Sequence, residues 1–144
     1  MADQNKLLMG SLELCNLPDL SITALHMRVD TGATTSSLHV DNIEAFTKND
    51  VSWVSFDIHP DYHDVKKVAR REAKVLDIRT IKSSSGEEQS RYVIETMLEI
   101  NDQSWPIHIS LSDRSSMTYL MLLGRQAMNG HVIVDPELEY ILSE

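Results

Sequence analysis

Val29-Asp30-Thr31-Gly32-Ala33 is the stretch of this sequence that most constrains its fold. The strand predicted at residues 22–29 runs directly into Asp30, and Gly32 allows a sharp backbone turn that a side chain would obstruct. A carboxylate at such a turn can point into a cleft, with the Gly32 amide facing it. An isolated Asp-Thr-Gly triplet is also typical of an ordinary turn, so its meaning depends on the rest of the chain.

A second motif lies far downstream, where an apolar strand at residues 119–123 runs into Gly124 and Arg125. Residues 125–128 are predicted to open a short helix, which Asn129-Gly130 stops. Further strands are predicted at residues 7–14, 51–58, 73–81, 92–100, 105–111 and 131–135, and one helical turn at 42–46. Short strands separated by turns at intervals of about 8–12 residues indicate an all-β sandwich or barrel.

The composition is typical of one small globular domain. The 144 residues are 42% hydrophobic, with only 4 prolines and 5 glycines, so a core can form and a long linker is not expected. We predict one domain over residues 1–144, with an ordered core at about 9–136 and flexible residues 1–8. The single cysteine, Cys15, excludes an internal disulfide. A secretory pattern and an apolar run of about 18 residues are both lacking, so we expect a cytoplasmic protein without a membrane partner.

Charge is distributed unevenly along the chain. The net charge is −9, from 13 basic and 22 acidic residues, which argues against a nucleic-acid partner. Residues 66–82 nevertheless carry seven basic side chains against two acidic ones, a local charge of +5. Two interpretations stay open: a solvated basic face, or a wall that holds an acidic ligand or peptide through charge-assisted hydrogen bonds.

Together these motifs resemble the retropepsin family of aspartic proteases, in which Asp-Thr-Gly-Ala follows an apolar residue and Gly-Arg precedes a short helix. The chain is also similar to a retropepsin-like bacterial family labelled "ATP-dependent zinc protease", some members of which are associated with ligases that add glutamates to a ribosomal protein. The segments that carry this second resemblance are Arg28-Val29-Asp30-Thr31-Gly32-Ala33, Ser36-Ser37-Leu38-His39, Lys82-Ser83-Ser84-Ser85-Gly86, Leu111-Ser112-Asp113-Arg114, Met121-Leu122-Leu123-Gly124-Arg125 and Val134-Asp135-Pro136. The implied fold is all-β, a closed or partly closed six-stranded acid-protease barrel with one short helix after Gly124-Arg125.

The resemblance also implies roles for individual residues. The catalytic loop would be formed by Asp30, Thr31 and Gly32. The substrate-binding residues would be Ala33, Arg79, Lys82, Ser84 and Gly86, with residues 83–88 at the flap hairpin. Gly124 and Arg125 would support the site. In viral relatives the arginine that matches Arg125 pairs with an acidic residue four positions after the catalytic aspartate; this chain has Thr34 there, so Arg125 needs another partner.

A single catalytic aspartate cannot run this chemistry, because the mechanism needs two carboxylates that share one proton. The resemblance therefore implies a homodimer that pairs Asp30 with the same residue of a second copy. The expected activity is that of an aspartic endopeptidase acting on a peptide or protein, and a glutamate-rich or polyglutamate-bearing substrate would fit the basic segment. Ala33 cannot donate a hydrogen bond to the carboxylate as a serine could, so we expect the pair to work nearer neutral pH.

Two alternatives remain open: a non-catalytic peptide-binding module of the same fold, and a metal-dependent hydrolase. The chain has neither a His-Glu-x-x-His motif nor a phosphate-binding Gly-x-x-x-x-Gly-Lys loop, so we expect no cofactor, neither zinc nor ATP. A residual metal hypothesis uses His59 and His63 with a neighbouring aspartate, namely Asp57, Asp61 or Asp64. Pro60 argues against the helix that would align this histidine pair on one face.

Overall fold

The computed structural model describes residues 6–59, 67–82, 86, 88–112 and 119–142, and most of them lie in strands. The side chains of residues 81, 82 and 89 are outside this description. The strands are β1 (Leu7–Met9), β2 (Leu12–Leu17), β3 (Ile22–Val29), β4 (Ser36–His39), β5 (Asp41–Lys48), β6 (Val51–Ile58), β7 (Ala69–Lys74), β8 (Asp77–Lys82), β9 (Glu88–Ile100), β10 (Gln103–Ser112), β11 (Met121–Leu123) and β12 (Val132–Val134). The helices are a 3-10 turn (Pro18–Leu20) and α1 (Arg125–Met128).

Six of these strands close into a barrel. Their order is β10-β4-β11-β3-β2-β9, and β9 pairs again with β10, which completes the ring. The barrel is mixed, because β3 runs parallel to β11 and β4 runs parallel to β10, whereas the other neighbours are antiparallel. The prediction of a six-stranded barrel with one short α-helix is confirmed for the part of the chain that the structure describes.

Three smaller pairings surround the barrel. Strand β8 extends the sheet along β9, β5-β6-β7 form a separate antiparallel sheet, and β1 lies parallel to β12. The helical turn predicted at residues 42–46 is wrong, since these residues belong to β5 and pair with β6. A bulge lies between Asp41 and Glu44, and Asn42 within it has a left-handed φ of 52°. Pairing with a neighbouring strand has thus overridden the local signal for a turn.

The strand predicted at residues 73–81 is in fact two strands that belong to different sheets. The Val75 amide donates to the Ser52 carbonyl oxygen (3.0 Å), while the next amide, that of Leu76, donates to the Val93 carbonyl oxygen (2.8 Å). The chain therefore leaves β6 and joins β9 within two residues. This crossing carries β8 from the three-stranded sheet to the barrel.

A buried carboxylate ties the chain after β12 to the barrel. Glu13 has no exposed surface, and it accepts hydrogen bonds from the amides of Gly10 (2.8 Å), Ile141 (3.2 Å) and Leu142 (3.1 Å). The described structure consequently reaches past residues 9–136 at both ends, from β1 to Leu142. Among the described residues, no helix combines the length and apolar character needed to cross a membrane.

The Cys15 thiol should be unreactive in the folded protein. It lies in the core, where burial raises the pKa of its thiol from 9.0 to about 12. Because the thiolate is the reactive form, its population at pH 8 falls by a factor on the order of 10³. We expect iodoacetamide to label the native protein at least about 100-fold more slowly than the urea-unfolded protein. Equal labelling rates in the two states would contradict this burial, and Cys15→Ala supplies the unlabelled reference.

Candidate active site

The loop after β3 holds the Asp30 carboxylate at an open turn. The Asp30 amide donates to the Leu123 carbonyl oxygen (2.9 Å), which fixes the start of the loop against β11. The Gly32 amide donates to Asp30 Oδ1 (2.9 Å), and the Ala33 amide closes the turn on the Asp30 carbonyl oxygen (3.2 Å). Asp30 is half-buried, whereas Thr31 and Gly32 are exposed. One carboxylate oxygen is therefore held by the backbone at the rim of the barrel.

Gly124 allows the start of α1 to pack directly against the backbone of this loop. Its amide donates to Ser36 Oγ (3.0 Å), and Ser36 is completely buried. A methyl group on Gly124 would lie 2.7 Å from the Thr35 carbonyl carbon, closer than carbon atoms can pack. The amides of Arg125 and Gln126 then donate to the carbonyl oxygens of residues 33 and 34, both at 2.9 Å. The first amides of α1 thus find their acceptors in the aspartate loop.

Arg125 finds its partners within the same loop. Its Nη1 donates to the Thr31 carbonyl oxygen (2.9 Å), and its Nη2 donates to Thr34 Oγ1 (3.0 Å). Thr34 therefore still receives the guanidinium, through a hydroxyl instead of a carboxylate. The two hydrogen bonds span the exposed turn, so Arg125 fixes the loop from its solvent side. Gly124 packs against the backbone of the same loop at Thr35.

A cavity of about 340 Å³ opens beside Asp30. Its lining residues are Asp30, Ala33, Thr35, Ser37, Arg79, Arg91, Ser110 and Leu122. Arg79 and Arg91 face each other across the β8–β9 pair, and Arg79 Nη1 donates to Thr35 Oγ1 (2.8 Å). A cavity of about 450 Å³ around Trp53 shares no lining residue with this one. Two guanidinium groups therefore line the cavity beside the Asp-Thr-Gly turn.

The residues predicted to bind substrate are only partly described. Ala33 and Arg79 line the cavity. Lys82 ends β8, but its side chain lies outside the described structure, as does Ser84. Gly86, between β8 and β9, has a left-handed φ of 88°.

Arg91 was missed by reasoning from the sequence alone, although a signal for it exists. Residues 83–87 connect β8 to β9, and Lys82 pairs with Glu88. Counting back three positions on one strand and forward three on the other places Arg79 opposite Arg91. The hairpin predicted at residues 83–88 indicated this neighbourhood, but the register that selects Arg91 is set by the pairing of Lys82 with Glu88 in the structure.

Most of the described basic side chains at residues 66–82 have structural contacts instead of facing the cavity. Arg70 forms an ion pair with Asp57 (3.1 Å), Arg71 Nε donates to the Leu20 carbonyl oxygen (2.7 Å), and Lys74 lies over the Trp53 ring. Among the described members of this segment, Arg79 is the one that lines the Asp30 cavity. Most of the described basic side chains in this segment therefore stabilise the fold, and Arg79 on β8 is the one that reaches the cavity.

His59 contacts different partners from those considered in the metal hypothesis. Its Nε2 lies 2.5 Å from Asp41 Oδ2, and His39 Nε2 lies 3.4 Å from Asp41 Oδ1. Asp57 instead accepts hydrogen bonds from Asn42 and Arg70, which hold the pKa of its carboxyl below the usual range, the Asn42 bond most strongly. His63, Asp61 and Asp64 lie outside the described residues. His39, Asp41 and His59 are thus the described residues grouped suitably for a metal ion.

A closed six-stranded barrel with an Asp-Thr-Gly turn braced by a Gly-Arg helix defines a retropepsin-like domain. The description "Retropepsin-like aspartic endopeptidase RimB" (RimB-like) matches residues 8–144, and the chain belongs to this family. The sequence-based assignment to a retropepsin-like bacterial family is thereby confirmed.

Proteins with similar sequences are named as ligases instead of endopeptidases. A "Probable alpha-L-glutamate ligase" from Parasynechococcus marenigrum (strain WH8102) is 46% identical over 96% of this chain, and one from Shewanella pealeana (strain ATCC 700345 / ANG-SQ1) is 44% identical over 97%. The chain spans only 30% and 31% of the length of these two relatives. A solved structure of protein Lpg0085 from Legionella pneumophila, described as of unknown function, superposes with a TM-score of 0.78 at 25% identity, covering 94% of this chain and 98% of that one.

Proposed function

We propose that this chain is an aspartic peptidase whose active site is completed by a second copy of itself. The observation that carries the proposal is the Asp30 turn, in which a backbone amide holds one carboxylate oxygen at the mouth of a cavity. Membership of a family described as aspartic endopeptidases supports it.

The reaction needs two carboxylates in different protonation states. Two such groups close together share one proton, because both cannot ionise at that distance. The charged carboxylate takes a proton from water as the water oxygen attacks the peptide carbonyl carbon, and the protonated one donates to the carbonyl oxygen. When the tetrahedral intermediate collapses, its C–N bond breaks and the amine leaves with a proton. The dyad, formed by Asp30 of each copy, titrates as one unit.

The exposed position of the loop supports a dimer. Thr31 and Gly32 project at the apex of the turn, and the half-buried Asp30 lies just behind them. A two-fold axis beside this apex would bring two identical loops together through an isologous interface. The Thr31 hydroxyl could then bridge to the opposite loop and hold the two carboxylates at one spacing.

The cavity supports an acidic peptide as the substrate. Arg79 already forms an ion pair with Asp77 through Nε (3.1 Å). A substrate carboxylate would pair with the rest of its guanidinium group and with Arg91 through charge-assisted hydrogen bonds, which are the strong ones in proteins. The relatives named as glutamate ligases contain this domain as about a third of their length. A peptide that bears added glutamates is therefore the substrate class that best fits both observations.

Cleavage of a defined peptide separates this function from its two alternatives. The wild-type protein is incubated with a peptide that carries a C-terminal oligoglutamate tail, and the products are identified by mass spectrometry with and without a chelator. New termini in both samples support the aspartic mechanism. Binding without cleavage would indicate a peptide-binding module, and cleavage that the chelator abolishes would indicate a metal-dependent hydrolase.

Removing a cavity arginine should weaken the use of acidic peptides specifically. A charge-assisted hydrogen bond contributes about 1.5–3 kcal/mol, so Arg79→Gln or Arg91→Gln should raise KM for the oligoglutamate peptide by about 10-fold or more. The KM for the same peptide with glutamine in place of glutamate should change little.

Two controls keep this test specific. Lys74→Gln removes a similar charge from β7, outside the cavity, and should leave KM unchanged. Arg79→Lys keeps the charge and should recover part of the loss. An equal loss for the acidic and the neutral peptide would show that the arginines shape the cavity without recognising carboxylates.

A further inference from the structure

We infer that His39, Asp41 and His59 form a binding site for a divalent transition-metal ion, best matched by Zn²⁺. Two imidazole nitrogens and one carboxylate oxygen are the ligand types that Zn²⁺ accepts. Their donor atoms all lie within 4.8 Å of one another. The site is separate from the Asp30 cavity, whose lining contains none of these residues.

The fold brings these three residues together from two sheets. His39 ends the barrel strand β4, Asp41 begins β5, and His59 directly follows β6. Pairing of β5 with β6 places Asp41 opposite Asp57, and so brings His59 back beside the beginning of β5. The backbone at His39 is itself fixed, because its amide donates to the Leu120 carbonyl oxygen (2.7 Å). Two of the three residues therefore lie on strands and the third directly follows one, and strands position ligands more accurately than a loop would.

One of the two histidine–Asp41 distances between donor atoms matches a tetrahedral site, and the other is shorter. Ligand atoms about 2.0–2.2 Å from a common ion are about 3.3 Å apart. The contact between His39 Nε2 and Asp41 Oδ1 already measures 3.4 Å. The contact between His59 Nε2 and Asp41 Oδ2, at 2.5 Å, is a hydrogen bond. It would need to lengthen by roughly 1 Å when an ion replaces the bridging proton.

The surroundings favour an ion with one solvent ligand. The side chains of His39 and His59 are only 8% and 13% exposed, and their rings stack with centroids 5.6 Å apart. The Asp41 side chain is 34% exposed, which leaves a path for water to the fourth coordination position. Two shielded imidazoles converging on one accessible carboxylate are a compact, partly preformed set of ligands.

The position of the site indicates what the ion would do. It would join the last residue of a barrel strand to the separate β5-β6-β7 sheet, at a point where the chain passes between the two. An ion that binds only the folded chain raises its stability by mass action. The expected role is therefore a clamp between the two sheets, independent of peptide cleavage.

Calorimetric titration of metal-free protein with Zn²⁺ tests this inference, and the absorption spectrum of the Co²⁺ complex reports tetrahedral coordination. We expect one ion per chain and a rise in Tm of about 5–10 °C at saturating Zn²⁺. Asp41→Asn and His59→Gln should each weaken Zn²⁺ binding at least about 100-fold and remove the Tm rise. His108→Gln is the matched control, because it removes another histidine near a carboxylate, Glu95 at 3.4 Å.

Three results would overturn the site. The wild type could show no binding at 100-fold excess of Zn²⁺, which would leave the cluster as a hydrogen-bonded triad. Binding could persist unchanged in Asp41→Asn, a nearly isosteric variant that should fold. Asp30→Asn could abolish binding, which would place the ion in the Asp30 cavity; we expect this variant to bind Zn²⁺ as the wild type does.

Discussion

Asp30→Asn is expected to abolish peptide cleavage and to leave the fold intact. The asparagine side chain has nearly the same shape, and its amide oxygen can still accept the hydrogen bond from the Gly32 amide. It can neither take a proton from water nor share one with the opposite carboxylate. General acid–base catalysis is worth about 10²–10⁴-fold for one group, so we expect kcat to fall by about 10⁴-fold or more, because both roles are lost. Product formation measured by chromatography, together with the thermal unfolding curve, checks both parts.

Mixing the variant with the wild type tests the shared active site directly. If one Asp30 from each chain is needed, randomly exchanged equimolar chains should retain about half of the activity of the wild-type chains alone. Asp102→Asn, which changes an exposed aspartate in the turn between β9 and β10, should keep the full activity per chain, so the same mixture made with it should show about twice the activity of the wild-type chains alone. Full activity in the presence of excess Asp30→Asn would show that a single chain suffices and would exclude the proposed dyad.

Gly124→Ala is expected to destabilise the protein by about 2–3 kcal/mol, the upper part of the usual range for overpacking. The cause is crowding alone, because the φ of −101° at Gly124 suits any residue. The added methyl group would meet backbone atoms of Thr35 and Ser36 at 2.7–3.0 Å, and backbone cannot rotate away as a flexible side chain can. The loop that carries Asp30 would have to shift, and a displacement of about 1 Å can cost about 100-fold in rate.

Gly86→Ala supplies the contrasting control. Gly86 has a left-handed φ of 88°, and a methyl group there would meet no atom of the described residues within 4 Å. Only conformational strain should appear, which costs about 1–2 kcal/mol. Urea unfolding curves of the two variants, with kcat measured in parallel, separate crowding from strain. A Gly124→Ala protein that is as stable and active as the wild type would show that α1 can move away from the loop at little cost.

The elements that the sequence predicted well are those defined by neighbouring residues. Residues 22–29 and 51–58 form strands with the predicted bounds, since apolar patterning and flanking turns mark both ends. The helix at Arg125–Met128 was predicted from Gly124 before it and Asn129-Gly130 after it. The helical turn predicted at residues 42–46 was wrong because pairing with β6 decides their conformation, and no local sequence pattern reveals that pairing.

The sequence by itself determined the retropepsin-like barrel and the aspartate turn, because the turn depends on Gly32, only two residues from Asp30. Tertiary structure alone decided which distant groups meet. Strand register placed Arg91 opposite Arg79, and the docking of α1 gave Arg125 the Thr34 hydroxyl as its partner. The grouping of His39, Asp41 and His59 likewise depends on the pairing of β5 with β6. Most of these contacts join residues distant in the chain, and for those on strands, such as Arg79 and Arg91, a shift of one residue in register would turn the side chain to the opposite face of the sheet.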